Sequence, residues 1–154
     1  MNLETRASAT DYSAWICRET PACVLFLIDQ SGSMEDPFQL PGEPRISRAQ
    51  GVADVVNRTV SGLVLSCTKG ETIFDRFHVG AVTYGGRAAL APGFPGLLPL
   101  SDVANRPLDV PLREVRNPYG TTSEVAFPVW FNPVHAGETP MCAALDLAHG
   151  LVDR

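Results

Sequence analysis

The chain has 154 residues and a formal net charge of −5, enough for one domain with a core of its own. Its 45% hydrophobic and 19% charged content excludes a disordered polypeptide. The 12 Lys and Arg against 17 Asp and Glu form no basic cluster and argue against a nucleic-acid partner.

The N-terminal run Met1 to Arg6 is too polar for a signal peptide. The apolar run Ala22 to Ile28 is too short to cross a bilayer. Both lead us to expect a cytoplasmic protein without membrane contact. Cys17, Cys23, Cys67 and Cys142 show no CxxC spacing; they are expected to be reduced, small core residues, not zinc ligands.

In chain order, residues 1–21 read as a lead-in, with Trp15 packing back on a domain spanning 22–154. Cys23 to Asp29 is one continuous apolar run, the pattern of a strand buried on both faces in a parallel sheet. Glu35 to Pro44 holds three prolines and a glycine and reads as a solvated loop. From Arg45 to Thr68 the residues Ile46, Ala49, Ala53, Val56, Val60, Leu63, Val64 and Cys67 recur at helical spacing. Arg48, Asp54, Asn57, Arg58 and Ser61 take the other face, and Lys69-Gly70 forms a helix stop.

Phe77 to Tyr84 is a second strand, ended by Gly85-Gly86. A Pro- and Gly-rich stretch, Ala91 to Pro118, reads as the body of an ordered insertion loop of about residues 86–123. Leu97, Leu98, Leu100, Val103, Leu108 and Val110 are its apolar anchors. Glu124 to Phe131 is a third strand, placed at a sheet edge by Pro128. Thr139 as N-cap and Pro140 at the first helical position open a last helix through His149. Met141, Ala144, Leu145, Ala148, Leu151 and Val152 form its apolar face. No repeat is visible.

The chemistry sits after the first strand. Ligands of open parallel sheets bind beyond the carboxyl ends of the strands. There the chain places Asp29, Ser31 and Ser33 at alternating positions, so three oxygens can turn toward one point. A hard cation such as Mg²⁺ takes about six oxygens near roughly 2.1 Å and keeps several waters. Neutral hydroxyl ligands leave such an ion under-neutralised, so it recruits a carboxylate from a partner; this favours docking over catalysis.

Three enzyme patterns fail. A phosphatase of the haloacid-dehalogenase type needs a second acid where Ser31 stands. For a Gly-x-Ser-x-Gly hydrolase, Gln30-Ser31-Gly32-Ser33-Met34 lacks the first glycine, and no His is placed as base. A P-loop Gly-Lys-Ser/Thr is absent. His78, His135 and His149 are scattered and pair with nothing as metal ligands.

Asp29-Gln30-Ser31-Gly32-Ser33-Met34 resembles the Asp-x-Ser-x-Ser motif of the von Willebrand factor A (VWA) family. Gly137-Glu138-Thr139-Pro140 is similar to that family's Gly-x-Thr-Pro-type loop, which opens a later helix. The resemblance is closest to intracellular bacterial members. It implies an α/β fold, a Rossmann-like, partly parallel sheet flanked by helices. It also implies a metal-ion-dependent adhesion site (MIDAS) for Mg²⁺ or Mn²⁺. Ser31, Ser33 and Thr139 would ligate the ion directly, and Asp29 directly or through water. The implied function is non-catalytic protein–protein interaction with a partner Glu or Asp, the partner being an AAA+ ATPase or a kinase.

The family carries a second Asp in a Thr-Asp-Gly-type turn after a further strand. Asp153 cannot replace it, lying about four helical turns from Thr139. The expectation is therefore the N-terminal part of a VWA domain whose C-terminal strands are missing. A complementing chain or a homo-oligomer would cover the first strand, otherwise an exposed apolar edge. The alternative is a metal-independent interaction subunit completed by another chain.

Overall fold

The computed structural model describes residues 15–39, 41–42, 44–117 and 119–153. The lead-in reading of residues 1–14 lies outside these. Trp15 is 89% exposed, so it does not pack back on the domain. The elements are β1 (Ala22–Asp29), a 3₁₀ turn (Gly32–Glu35), β2 (Pro37–Phe38), β3 (Ile46–Ser47), α1 (Arg48–Cys67), β4 (Thr68–Lys69) and β5 (Thr72–Ile73). Then follow β6 (Phe77–Gly85), β7 (Arg87–Leu90), β8 (Leu98–Pro99), α2 (Leu100–Ala104), β9 (Leu112–Arg116), β10 (Thr122–Ala126) and α3 (Met141–Val152).

The fold is mixed α/β with a partly parallel sheet. β1 runs parallel to β6, with Ala22 opposite Phe77 and Asp29 opposite Tyr84. β7 and β8 both pair antiparallel with the other edge of β6, which leaves β1 as the outer strand. Side chains alternate across a strand, and the two faces bury different helices. Val24, Phe26, Ile28, Val79 and Ala81 pack toward Ala53, Val56 and Val60 of α1. Leu25, Val82 and Tyr84 pack with Ala144 and Ala148 of α3. No helix among the described residues is long and apolar enough to cross a membrane.

α1 starts at Arg48, three residues later than the periodicity suggests, because Ile46 and Ser47 pair with Pro37 and Phe38. Ser47 then caps the helix, its side chain accepting from Gln50 N at 3.1 Å. Thr68 is the C-cap. Gly70, at φ +62°, turns β4 into β5 and does not end the helix.

The region read as an insertion supplies part of the sheet and core. β7 and β8 lie within it, and Phe94, Leu100 and Val103 are fully buried, whereas Leu108 and Val110 stay exposed. The third strand of the main sheet is thus β7, not Glu124 to Phe131. β10 pairs with β9 in a separate, fully exposed hairpin, and Pro128 falls beyond it. Of the four free cysteines Cys67 is buried, while Cys23 and Cys142 are exposed. Met141, Leu145 and Val152 of α3 are exposed as well, because α3 buries its small residues on the sheet.

Asn57, placed by helical spacing on the solvent face, is 4% exposed. Its Nδ2 donates to Phe131 O at 2.8 Å; its Oδ1 accepts from Trp130 N at 2.8 Å and Phe131 N at 2.9 Å. Trp130 and Phe131 bury large rings where no strand pairs their backbone, and buried N–H and C=O groups need partners. The Asn57 amide supplies them, and Trp130 Nε1 donates to Val103 O at 2.7 Å.

Asn57→Ala strands three buried backbone groups, each costing about 1–3 kcal/mol, and should lower urea-unfolding stability by at least roughly 3 kcal/mol. Gly62 of α1 has open space around its Cβ position. Gly62→Ala should therefore raise stability by about 0.5–1 kcal/mol. An Asn57→Ala midpoint equal to the native one would contradict the clamp.

Candidate metal centre

β1 and β6 end side by side, and their pairing runs one residue further: Gln30 N donates to Tyr84 O at 2.8 Å. The chain then turns sharply. Ser31 N donates to the Asp29 carboxylate at 2.7 Å, an Asx turn. Met34 N donates to Ser31 O at 3.0 Å and Asp36 N to Ser33 O at 3.2 Å, forming the 3₁₀ turn. The turn brings the Ser31 and Ser33 hydroxyl oxygens to 3.1 Å from each other, with Ser31 buried. Asp29, Ser31 and Ser33 are thus held on one loop.

A second segment is fastened over this loop. Ala136 N donates to Gln30 O at 2.7 Å, Gly32 N to Gly137 O at 3.1 Å, and Gly86 N to Glu138 O at 3.1 Å. Three backbone stretches meet here with no room for side chains. A Cβ on Gly85 would lie 2.5 Å from Gln30 O, and one on Gly137 would lie 2.6 Å from Gly86 N. Gly137 also sits at φ +90°, where other L-residues are strained. The sequence marked Gly137 within its motif. The Gly85-Gly86 pair, read as a strand stop, is equally the floor on which that motif rests.

Thr139 does not cap α3. The helix begins at Met141 with Pro140 in the N-cap position and no side-chain cap bond. Pro140 has φ −77° and ψ 63°, and Met141 N donates to Thr139 O at 2.8 Å, an inverse γ-turn. That turn uses the Thr139 carbonyl. The Thr139 side chain is left exposed and without a hydrogen bond among the described residues.

The surrounding charges are few. Glu35 and His135 approach to 3.9 Å, and Asp36 pairs with Arg48 at 3.2 Å in the open. His149 pairs with Asp153 at 3.0 Å on the surface of α3. Burial pushes the Tyr84 phenol above its ordinary range, and the negative charge of Asp29 adds to the effect. Among the described residues no three His, Cys, Asp or Glu side chains gather. The available donor set is one carboxylate with hydroxyls. Neighbouring ligands of an octahedral ion lie about 3.0 Å apart when each is roughly 2.1 Å from the metal. The Ser31 and Ser33 hydroxyls hydrogen-bond to each other at 3.1 Å, a separation that also matches such an edge.

No protein-family profile matches the sequence. No curated protein matches it either. Among solved structures the fold is similar to an uncharacterized membrane-spanning protein from Vibrio fischeri, at 20% identity and a TM-score of 0.50. The match covers 86% of this chain and 49% of that one, so the chain spans about half the length of that relative.

Two outcomes test the geometry. Gly137→Ala should destabilise by about 1–3 kcal/mol through backbone strain alone, read as a lower denaturant midpoint. A raised phenol pKa means that Tyr84 stabilises the fold below about pH 10, its unfolded value, and that this is lost as pH rises through the folded value. Asp29→Asn should bring the Tyr84 transition to lower pH in an ultraviolet titration; an unmoved transition would place Asp29 away from the ring.

Proposed function

We propose that this chain is a VWA-type docking module that holds Mg²⁺ or Mn²⁺ and binds a protein partner through a carboxylate on that ion. The observation that carries the reading is the pair of Ser31 and Ser33 hydroxyls set one octahedral edge apart beside Asp29. Asp29 supplies charge directly or through a water. Ser31 and Ser33 donate lone pairs, and Thr139, on the segment hydrogen-bonded to the same loop, closes the site. One carboxylate leaves the ion with net positive charge. A partner Glu or Asp neutralises it, and the reaction ends at binding. An AAA+ ATPase or a kinase is the partner class suggested by the family resemblance.

The outer edge of β1 supports a second reading, a metal-independent interaction subunit completed by another chain. Leu27 on that strand is 36% exposed, and no described strand pairs beyond it. Exposed apolar edges recruit further strands. Here the loop motif would serve as a turn and the edge as the interface.

Binding to the native state adds about 2.7 kcal/mol of stability at a hundred-fold excess over Kd, and so raises the unfolding midpoint. Millimolar Mg²⁺ or Mn²⁺ should raise the thermal midpoint over the EDTA value, and Ser33→Ala and Asp29→Ala should each abolish the rise while remaining folded. An unshifted midpoint at all concentrations would sink the metal reading. Self-association of the same sample in EDTA, measured by size, would favour the edge.

A further inference from the structure

The hairpin of β9 and β10 is exposed along its whole length, and no other described strand pairs with either of its outer edges. A two-stranded hairpin standing alone in water is marginal, and three or more strands are needed for independent stability. This one also leaves Leu112, Val115 and Val125 open to solvent, at 64%, 48% and 46% exposure. Glu114 stands directly opposite Glu124, and like charges in that position repel. Neither carboxylate has an ion pair among the described residues. Arg113 is engaged elsewhere, its guanidinium 4.1 Å from the centre of the Phe127 ring. The Arg116 side chain has no hydrogen bond or ion pair among the described residues.

The free edge of β9 carries its own complement. Opposed residues of an antiparallel ladder alternate between hydrogen-bonded and non-hydrogen-bonded pairs. Asn117 N donates to Thr121 O and Phe127 N to Pro111 O, both at 2.9 Å, so the odd-numbered residues of β9 turn their backbone groups to β10. Leu112, Glu114 and Arg116 turn theirs outward. A strand added antiparallel must meet them with outward-turned groups of its own. A second copy of β9 does so in three two-fold registers centred within the strand. Centring on Arg113 sets that arginine against its counterpart, and centring on Glu114 does the same with two carboxylates. Centring on Val115 sets two apolar side chains together and places Glu114 of each copy opposite Arg116 of the other.

We propose that this edge is a self-association surface whose occupant is β9 of a second copy of the chain, antiparallel about Val115, in a four-stranded sheet with a β10 at each side. Directly opposed residues share a face of the sheet, so Arg116 of one copy falls in one row with Glu114 and Glu124 of the other. It supplies the cation that the Glu114–Glu124 pair lacks. Two-fold symmetry makes the contact twice, so both arginines and all four carboxylates are answered. The outward backbone groups of Glu114 and Arg116 gain partners, as at other sheet edges extended by an added strand. The edge of β10 cannot repeat this match, because Thr122 to Ala126 holds no cation. The contact is independent of any ion at the loop after β1.

The test is sedimentation equilibrium of the full chain in EDTA, up to millimolar protein, alongside Glu114→Arg, Arg116→Glu and an equal mixture of the two variants. Expected is a monomer–dimer equilibrium of the native chain that each variant alone weakens at least tenfold, since each sets like charges opposite one another across the axis. Glu114→Arg also removes the repulsion from Glu124, so its loss of dimer cannot come from a weakened hairpin. In the mixture, the arginines at positions 114 and 116 of one variant face the glutamates at those positions of the other. A dimer with one copy of each should therefore return at close to native affinity. Self-association belongs to the β1 edge where both variants leave it unchanged, and that result would overturn the proposal. Loss in both variants without recovery in the mixture would overturn the register and the proposal with it, as would a native chain that stays monomeric throughout.

Discussion

One buried amide organises the approach to the candidate site. Asn57 stands on α1, 73 residues before Trp130 in sequence, and clamps the backbone of Trp130 and Phe131 with three hydrogen bonds. That clamp fixes where the chain re-enters the core. Five residues later Ala136 donates to Gln30, and the Gly137–Thr139 segment is laid over the loop after β1. The clamp acts together with the bridge from Val129 to Asp109 and the main-chain bonds of Ala136, Gly137 and Glu138. A helix residue far from the loop thus helps to set the position of the backbone that covers the loop.

The same economy governs the loop. Parallel β1 and β6 end in register, so the two turns that follow are neighbours. Glycines at 85 and 137 let a third backbone segment touch both. The hydrogen bonds that tie the segments together are between main-chain groups, while the Asp29, Ser31 and Ser33 side chains bond within their own loop. A loop held this way presents one carboxylate and two hydroxyls from a tightly tied backbone.

Strand β1, helix α1 and the loop motif were legible because each is carried by local pattern: an unbroken apolar run, a 3.6-residue stripe, and alternating oxygens. The failures have physical causes. Asn57 looked like a surface residue because spacing reports the face of a helix, and cannot report a long-range demand for hydrogen bonds. β7 is invisible to local pattern because Arg87-Ala88-Ala89-Leu90 is short and lacks β-branched and aromatic residues; its partner β6 defines it. Glu124 to Phe131 was read as one strand, yet it divides at Ala126 between an exposed hairpin and the clamped core segment. Thr139 combined two strong helix-start signals, and the γ-turn at Pro140 overrode them. That Asp29, Ser31 and Ser33 share one loop is legible in the sequence. The glycine crossing was only half visible, since a close backbone approach leaves its mark on spatial rather than sequential neighbours.

The hairpin of β9 and β10 leaves the domain and returns at one point. Leu108 N donates to Val129 O at 2.7 Å and Val129 N to Asp109 O at 2.8 Å, tying the two ends together at the base. Residues 110–128 therefore form a closed excursion whose ends meet whatever its length. Because the entropy of closing such a loop rises only logarithmically with size, this arm can lengthen, shorten or be exchanged between relatives without disturbing the sheet. A change of length here leaves the loop after β1 in place.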